Sequence, residues 1–246
     1  MPNKGVLCVI PARYASTRLP GKPLCLVRDM PLIMWAYNGA VAAKVFDAVC
    51  VATDDLRIHE TVRRFGGVSC MTSGSHASGT DRVAEAAGKF DFRYIVNLQG
   101  DEPCTPPDLL AKFAANLDKL DDNSLLTCVS NATIKDKENP NVVKVVCTSN
   151  GEALYFSRAP IPYDRDGRGH KGILVHGGMY GFTAQSLKRF CSFPEGILEK
   201  REKLEQLRAL ENGMRIVCLM TDYAYGSGID TPEDLAAFRK RVEGPA

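Results

Sequence analysis

The chain of 246 residues has no long hydrophobic run. None approaches the ~20 consecutive apolar residues of a membrane span, so a soluble protein is expected. Met1-Pro2-Asn3-Lys4 leads directly into a strand-like run and leaves no room for a secretory leader, which predicts a cytoplasmic location. An excess of one charge is missing too. Thirty-one basic and 29 acidic side chains leave a net charge of +2, against a nucleic-acid binder driven by a basic patch. The nine cysteines include no C-x-x-C pair, and most sit in apolar runs such as Val49-Cys50-Val51. They read as reduced thiols acting as small hydrophobes, not as a metal or disulfide framework. The loop behind the first strand, Pro11–Leu24, matches neither Gly-x4-Gly-Lys-Ser/Thr nor Gly-x-Gly-x-x-Gly, because Gly21-Lys22 is followed by Pro23.

What is present is a 45% hydrophobic chain, enough for one large α/β domain. Strand-like runs at Val6–Ile10, Ala48–Ala52, Ser69–Thr72, Tyr94–Leu98 and Leu125–Val129 alternate with amphipathic stretches at Leu32–Lys44, Leu56–Phe65, Asp81–Phe90 and Asp108–Leu120. That rhythm predicts a mostly parallel sheet with helices on both faces. Past residue 130 it breaks. Val142–Thr148 and Ala153–Ser157, joined by Ser149-Asn150-Gly151, read as a hairpin, and Leu174–Phe182 as a further strand. A helix over Arg201–Leu210, a strand over Arg215–Met220 and a helix over Pro232–Val242 close the chain. One domain over 1–246 with an antiparallel insertion at about 130–182 is the expectation.

Ligands of open parallel sheets bind beyond the carboxyl ends of the strands, where the unusual polar clusters fall. Arg13, Arg18 and Lys22 follow the first strand and suit a polyphosphate; a plain basic surface loop is the alternative. Asn97-Leu98-Gln99-Gly100-Asp101-Glu102-Pro103 ends another strand, and Asp101 suits a hard cation such as Mg²⁺, which takes one or two carboxylates; a polar turn explains it equally. In Gly228-Ile229-Asp230-Thr231-Pro232, helix initiation accounts for Thr231 and Pro232 but not for Asp230. Ser78 or Thr80 opens a helix whose free N–H groups suit an anion, or is simply its cap. His176 and Tyr180 share one face of a strand by the period of two. Leu204, Leu207 and Leu210 mark a helix core face, which leaves Glu205 and Gln206 on the solvated side.

Taken together these segments resemble the 3-deoxy-manno-octulosonate cytidylyltransferase (CMP-Kdo synthetase) family. The likeness is carried by I-P-A-R-Y-A-S-T-R-L-P-G-K-P-L (10–24), A-T-D-D (52–55), S-G-T-D-R (78–82), N-L-Q-G-D-E-P (97–103), L-Y-F-S-R-A-P-I-P-Y (154–163), L-E-Q-L (204–207) and G-I-D-T-P-E-D-L (228–235), in unchanged order along the chain. The resemblance implies a Rossmann-like α/β fold whose insertion makes a homodimer. It implies transfer of CMP from CTP to the anomeric hydroxyl of a 2-keto-3-deoxy sugar acid, with Mg²⁺ and release of pyrophosphate, toward lipopolysaccharide or capsule-type polysaccharide. Arg13, Arg18 and Lys22 are then expected on the triphosphate, with Ser78, Arg82 and Gln99 at the rest of the nucleotide. Asp101 and Asp230 are expected on the metal, and Lys22, Asp101 and Asp230 in the catalytic role. Arg158, Arg165, His176, Tyr180, Glu205 and Gln206 are expected around the sugar. Two positions depart from the family pattern: Ala15 stands where glycine is frequent, and Gly177 stands where relatives more often carry Val or Leu, which predicts a looser strand. Three alternatives stay in view. The acceptor is a related sugar acid such as 8-amino-Kdo, or the chain is a non-catalytic nucleotide-binding module, or it is a sugar-1-phosphate nucleotidyltransferase. The last usually opens on a Gly-rich G-G-x-G-T-R loop that is absent here.

Overall fold

In a computed structural model of the chain, residues 5–243 are described apart from Ser16, Thr17, Asp101, Arg168, His170, Ala224, Gly226 and Ser227. Two compact units result, one of Met1–Ala114 with Gly228–Ala246 and one of Ala115–Ser227.

The first unit is built on β1 (Val6–Ala12), in which Leu7, Cys8, Val9 and Ile10 are fully buried. A run of branched and small apolar residues buried on both faces is the signature of a central parallel strand. The neighbours of β1, β4 (Ala48–Thr53) and β6 (Tyr94–Asn97), both run parallel to it. β5 (Ser69–Met71) extends the sheet beyond β4, also in parallel. A short hairpin of β2 (Leu26–Val27) and β3 (Met30–Pro31) lies between β1 and the first helix. The flanking helices are α1 (Leu32–Ala42), α2 (Leu56–Arg64), α3 (Gly79–Ala87) and α4 (Pro107–Ala114). The α/β fold and its parallel strands agree with the expectation. The helix expected over Asp108–Leu120 ends at Ala114, and a 3₁₀ turn at Leu117–Lys119 follows.

The second unit pairs β7 (Ser124–Asn131) antiparallel with β10 (Leu174–Thr183) and parallel with β11 (Arg215–Met220). β8 (Lys144–Cys147) pairs with β10 and forms the expected hairpin with β9 (Ala153–Ser157). Helix α5 (Ala184–Ser192), which the sequence reading did not anticipate, starts on a capping box made by Thr183 and Ser186. The helix expected over Arg201–Leu210 is instead two short ones, α6 (Ile197–Glu202) and α7 (Leu207–Glu211). Lys203 between them has φ 54°, a left-handed conformation that ends a helix. Across the break Arg208 and Glu199 form a buried two-bond ion pair, at 2.7 and 2.8 Å.

The chain then returns to the first unit in α8 (Pro232–Glu243). Ile229, Leu235 and Phe238 pack with Leu19, Val27 and Leu32 in one apolar cluster, and Trp35 meets the Phe238 ring edge-on at 5.6 Å. This packing ties the end of the chain to the loop behind β1. Among the described residues no helix is long and apolar enough to cross a membrane.

Candidate active site

Beyond the end of β1 the chain folds back on itself before α1. Gly21 donates its N–H to the Tyr14 carbonyl at φ 67°, and a side chain there would press on the Tyr14 ring at 3.2 Å. Glycine is therefore required by both backbone and space. The fold-back leaves a cavity of ≈ 370 Å³ lined by Arg13, Arg18, Lys22 and Gln99, within the size range of small-molecule sites. Three cations around one open cavity make an anion site.

Asp230 is brought to these cations by the Ile229–Leu235–Phe238 packing. Its carboxylate accepts from Arg18 at 2.8 Å and from Lys22 at 3.0 Å, across 212 and 208 positions of sequence. The grouping of Arg18, Lys22 and Asp230 matches the expectation that these segments meet. Asp101, the other expected metal ligand, lies outside the described residues. A hard cation fits the donor set offered by Asp230, since Mg²⁺ takes one or two carboxylates and completes its shell with phosphate and water oxygens. No group of three His, Cys, Asp or Glu side chains suited to a metal occurs among the described residues, and this mode of binding does not need one.

The other residues expected at the nucleotide are engaged with the protein itself. Gln99 lines the cavity and donates to Asn97, whose own amide donates to Thr80. Ser78 caps α3 by accepting from the Asp81 N–H, with the Asp81 carboxylate returning the bond. Arg82 is 0% exposed; it donates to Thr72 at 2.6 Å and pairs with Asp54 at 3.2 Å. Ser78 and Arg82 thus hold the ends of the segment 72–78. Asp54 belongs to the polar cluster Thr53-Asp54-Asp55 that follows the second strand in the sequence, but no role was expected of it, and its neighbour Asp55 caps α2.

In the second unit β10 bulges between Gly177 and Tyr180: three steps there match one step on β7. Two extra residues leave the parity of the strand unchanged, so His176 and Tyr180 do share a face, with ring centroids 5.5 Å apart. The Thr127 hydroxyl fills the bulge, 2.8 Å from His176 Nε2 and 2.9 Å from the Met179 carbonyl. Those contacts are satisfied when Nε2 carries the imidazole proton and the hydroxyl donates to the carbonyl. Enclosed by Phe156 and Tyr180, the ring loses solvent, and burial pushes its pKa down to about 3. His176 is a neutral imidazole. Burial, and after it the Glu205 charge, pushes the Tyr180 hydroxyl well above its ordinary range, so it stays a donor and bonds Gln206 Oε1 at 3.1 Å.

Gln206 corrects the expectation of a solvated position: it is 3% exposed, because the break at Lys203 turns it inward. Its amide nitrogen has no protein partner. A buried amide donor without a partner is a place for a ligand oxygen. At Gly177, where the bulge begins, a side chain has no room. The Tyr225 ring fills its place, and a Cβ there would stand 2.3 Å from that ring. Arg158 is fixed by backbone carbonyls of Glu202, Pro140 and Lys203, with its own N–H on the Glu202 carboxylate. Three of its five guanidinium donors are so engaged, leaving two. Arg165 is exposed and lines a different cavity, formed by Pro162–Asp166, Gly169 and Lys171–Ile173.

A cytidylyltransferase family model matches residues 7–216. The 3-deoxy-manno-octulosonate cytidylyltransferase of Thermodesulfovibrio yellowstonii is 46% identical over 249 residues, covering 95% of this chain and 96% of that protein. Its counterpart in Vibrio cholerae is 44% identical over 243 residues, with coverage of 95% and 96%. The solved structure of CMP:2-keto-3-deoxy-manno-octonic acid synthetase complexed with CTP is 37% identical, covers 97% of this chain and 98% of its own, and superposes with a TM-score of 0.91. With its cationic cavity, its neutral polar cluster and this full-length likeness, the chain belongs to the 3-deoxy-manno-octulosonate cytidylyltransferase family of nucleotidyltransferases.

Proposed function

We propose that this chain transfers CMP from CTP to the anomeric hydroxyl of 3-deoxy-manno-octulosonate and releases pyrophosphate. The observation that carries this reading is the cavity behind β1, where Arg13, Arg18 and Lys22 converge and Asp230 joins two of them. The three cations hold the triphosphate, and Lys22 and Arg18 offset the charge that grows on the leaving pyrophosphate. Transfers of this kind rest on positioning and charge neutralisation, so no protein nucleophile is required. Asp230 and Asp101 would hold Mg²⁺, which supplies electrophilic activation of the phosphates when bound. Ser78 and Arg82 serve the nucleotide by shaping the segment 72–78, and Gln99 lines its cavity. In the second unit, the Gln206 amide, the Tyr180 hydroxyl, Glu205 and neutral His176 read sugar hydroxyls. The two remaining donors of Arg158 suit the sugar carboxylate, and Arg165 is assigned to the same carboxylate from its exposed loop.

We infer further that residues 142–182 carry the homodimer contact. β9 pairs with β8 on one side, and Leu154 on β9 and Tyr163 beyond it are exposed. Unpaired edges and exposed apolar side chains favour a partner. Light scattering at low micromolar concentration should show a dimer; monomer alone refutes it.

Pyrophosphate release with CTP and a panel of Kdo, 8-amino-Kdo and sialic acid tests the activity. Turnover with Kdo above the other two supports the reading. Preference for 8-amino-Kdo reassigns the acceptor, and no turnover with any acceptor leaves a nucleotide-binding module.

A further inference from the structure

Helix α3 holds the segment in front of it with one face. Ser78, Asp81, Arg82, Glu85 and Lys89 recur at three- and four-residue spacing, which places them on the same side of a helix. Each takes a successive part of residues 71–78. Lys89, just past the helix, donates to the Met71 carbonyl, Arg82 to the Thr72 hydroxyl, and Asp81 caps Ser78. Glu85 holds the middle. Its Oε2 accepts from the Ser73 N–H at 2.8 Å and meets His76 Nε2. The Ser73 N–H first, then the His76 ring, keep the Glu85 carboxyl below the usual carboxylate range.

The same segment reaches the cavity. Arg13, the first residue beyond β1, donates from its guanidinium to the backbone carbonyl of His76 at 2.9 Å. A guanidinium is a planar fork, so fixing one nitrogen fixes the direction of the others. The position of the His76 carbonyl in turn depends on what holds His76, and that is Glu85.

We propose that Glu85 is a positioning residue for the triphosphate site: through Ser73 and His76 it fixes the carbonyl that orients Arg13. The proposal rests on the reading of Arg13 as a phosphate-binding cation. Glu85 touches no substrate. It sets the geometry in which Arg13 meets the nucleotide, so its loss falls on CTP and not on the sugar.

The test is a double-mutant cycle on the full-length protein, read by steady-state KM for each substrate and by direct titration of CTP. Glu85→Ala should raise the KM for CTP roughly three- to tenfold, in the lower part of the range of coupling between residues of one hydrogen-bonded network, with kcat and the sugar KM within about twofold. Glu85→Gln keeps an oxygen acceptor at the same place and should restore most of the wild-type KM. Arg13→Ala should raise the KM for CTP further, and adding Glu85→Ala to it should change nothing more. If Glu85→Ala does not fold, His76→Ala removes the ring contact and keeps the carbonyl, and should move the CTP KM in the same direction. A wild-type KM for CTP in Glu85→Ala or its folded substitute overturns the inference alone, as do effects that multiply in the double variant. A wild-type KM for CTP in Arg13→Ala overturns the phosphate reading as well.

Discussion

The cavity behind β1 and the polar cluster on β10 are built on opposite electrostatic terms. Around the cavity the functional groups are charged and partly solvated: Arg18 is 59% exposed and Asp230 34%, and their contacts are ion pairs. On β10 the groups are enclosed and neutral, with His176 stripped of its charge by burial and Tyr180 kept protonated. The difference follows the ligand that each is assigned. A triphosphate arrives with several negative charges and is held by cations that water can still reach. Sugar hydroxyls carry no charge and are distinguished by enclosed donors and acceptors, where a missing partner is expensive. Buried charge in the second unit serves as support, in the Arg208–Glu199 pair that joins α6 to α7 and in Lys144, whose ammonium donates to the Asn139 and Val142 carbonyls.

That contrast can be broken at its support first. Glu199→Ala takes from the buried Arg208 its two-bond carboxylate partner, and should destabilise the protein by about 3–5 kcal/mol in urea unfolding. Little loss would mean that the α6–α7 corner does not depend on the pair. The next effect is catalytic. Lys22→Ala or Asp230→Asn should lower kcat by roughly 10²–10³ while thermal unfolding stays near wild type. Raised salt should weaken CTP use more than sugar use, because the cations are solvated and screened. Equal salt sensitivity for both substrates would erase the distinction drawn here.

Smaller effects sharpen the second region. Gly177→Val drives a branched side chain into the Tyr225 ring and should cost about 1–3 kcal/mol of stability, partly recovered in a Gly177→Val, Tyr225→Ala double variant. Additive losses would sever the two residues. The effect that is smallest at neutral pH, and grows only in acid, is the pH dependence of His176. Its folded pKa of about 3 lies below the ordinary 6.5, so between those values the unfolded chain binds a proton that the folded one refuses. Stability from this group is full above pH 6.5 and falls with acidification, by at most about 1.4 kcal/mol per pH unit. His176→Asn should flatten the slope of unfolding free energy between pH 6.5 and 4. An unchanged slope would return the charge to His176.

Several of these features are visible in the residues themselves. The apolar run of β1, the cations behind it and the Thr231-Pro232 helix start are local facts, set by side-chain chemistry within a few positions. The resemblance named Gln206, but its burial was not legible, because the 3.6-residue period that placed it in solvent assumes an unbroken helix. A left-handed Lys203, a residue type that rarely adopts that conformation, turns it inward instead. Glu85 was equally hidden: on a helix it is an ordinary solvated acid until its partners Ser73 and His76 are brought in front of it.

The alternation of strands and helices up to residue 114, the parallel character of the first four strands expected there and the membership of a cytidylyl-transferring family are determined by the sequence alone, since each rests on periodicity or on motifs in fixed order. Which side chains act together was decided by the tertiary structure. Arg18 and Asp230 stand 212 positions apart and meet because Ile229, Leu235 and Phe238 bury themselves against Leu19, Val27 and Leu32. His176 is pushed toward the neutral imidazole because Phe156 and Tyr180 pack against its ring and take solvent from it. Apolar burial brings distant segments together without regard to their separation in sequence, and the ionic and hydrogen-bonding chemistry of the site is settled by the neighbours that burial delivers.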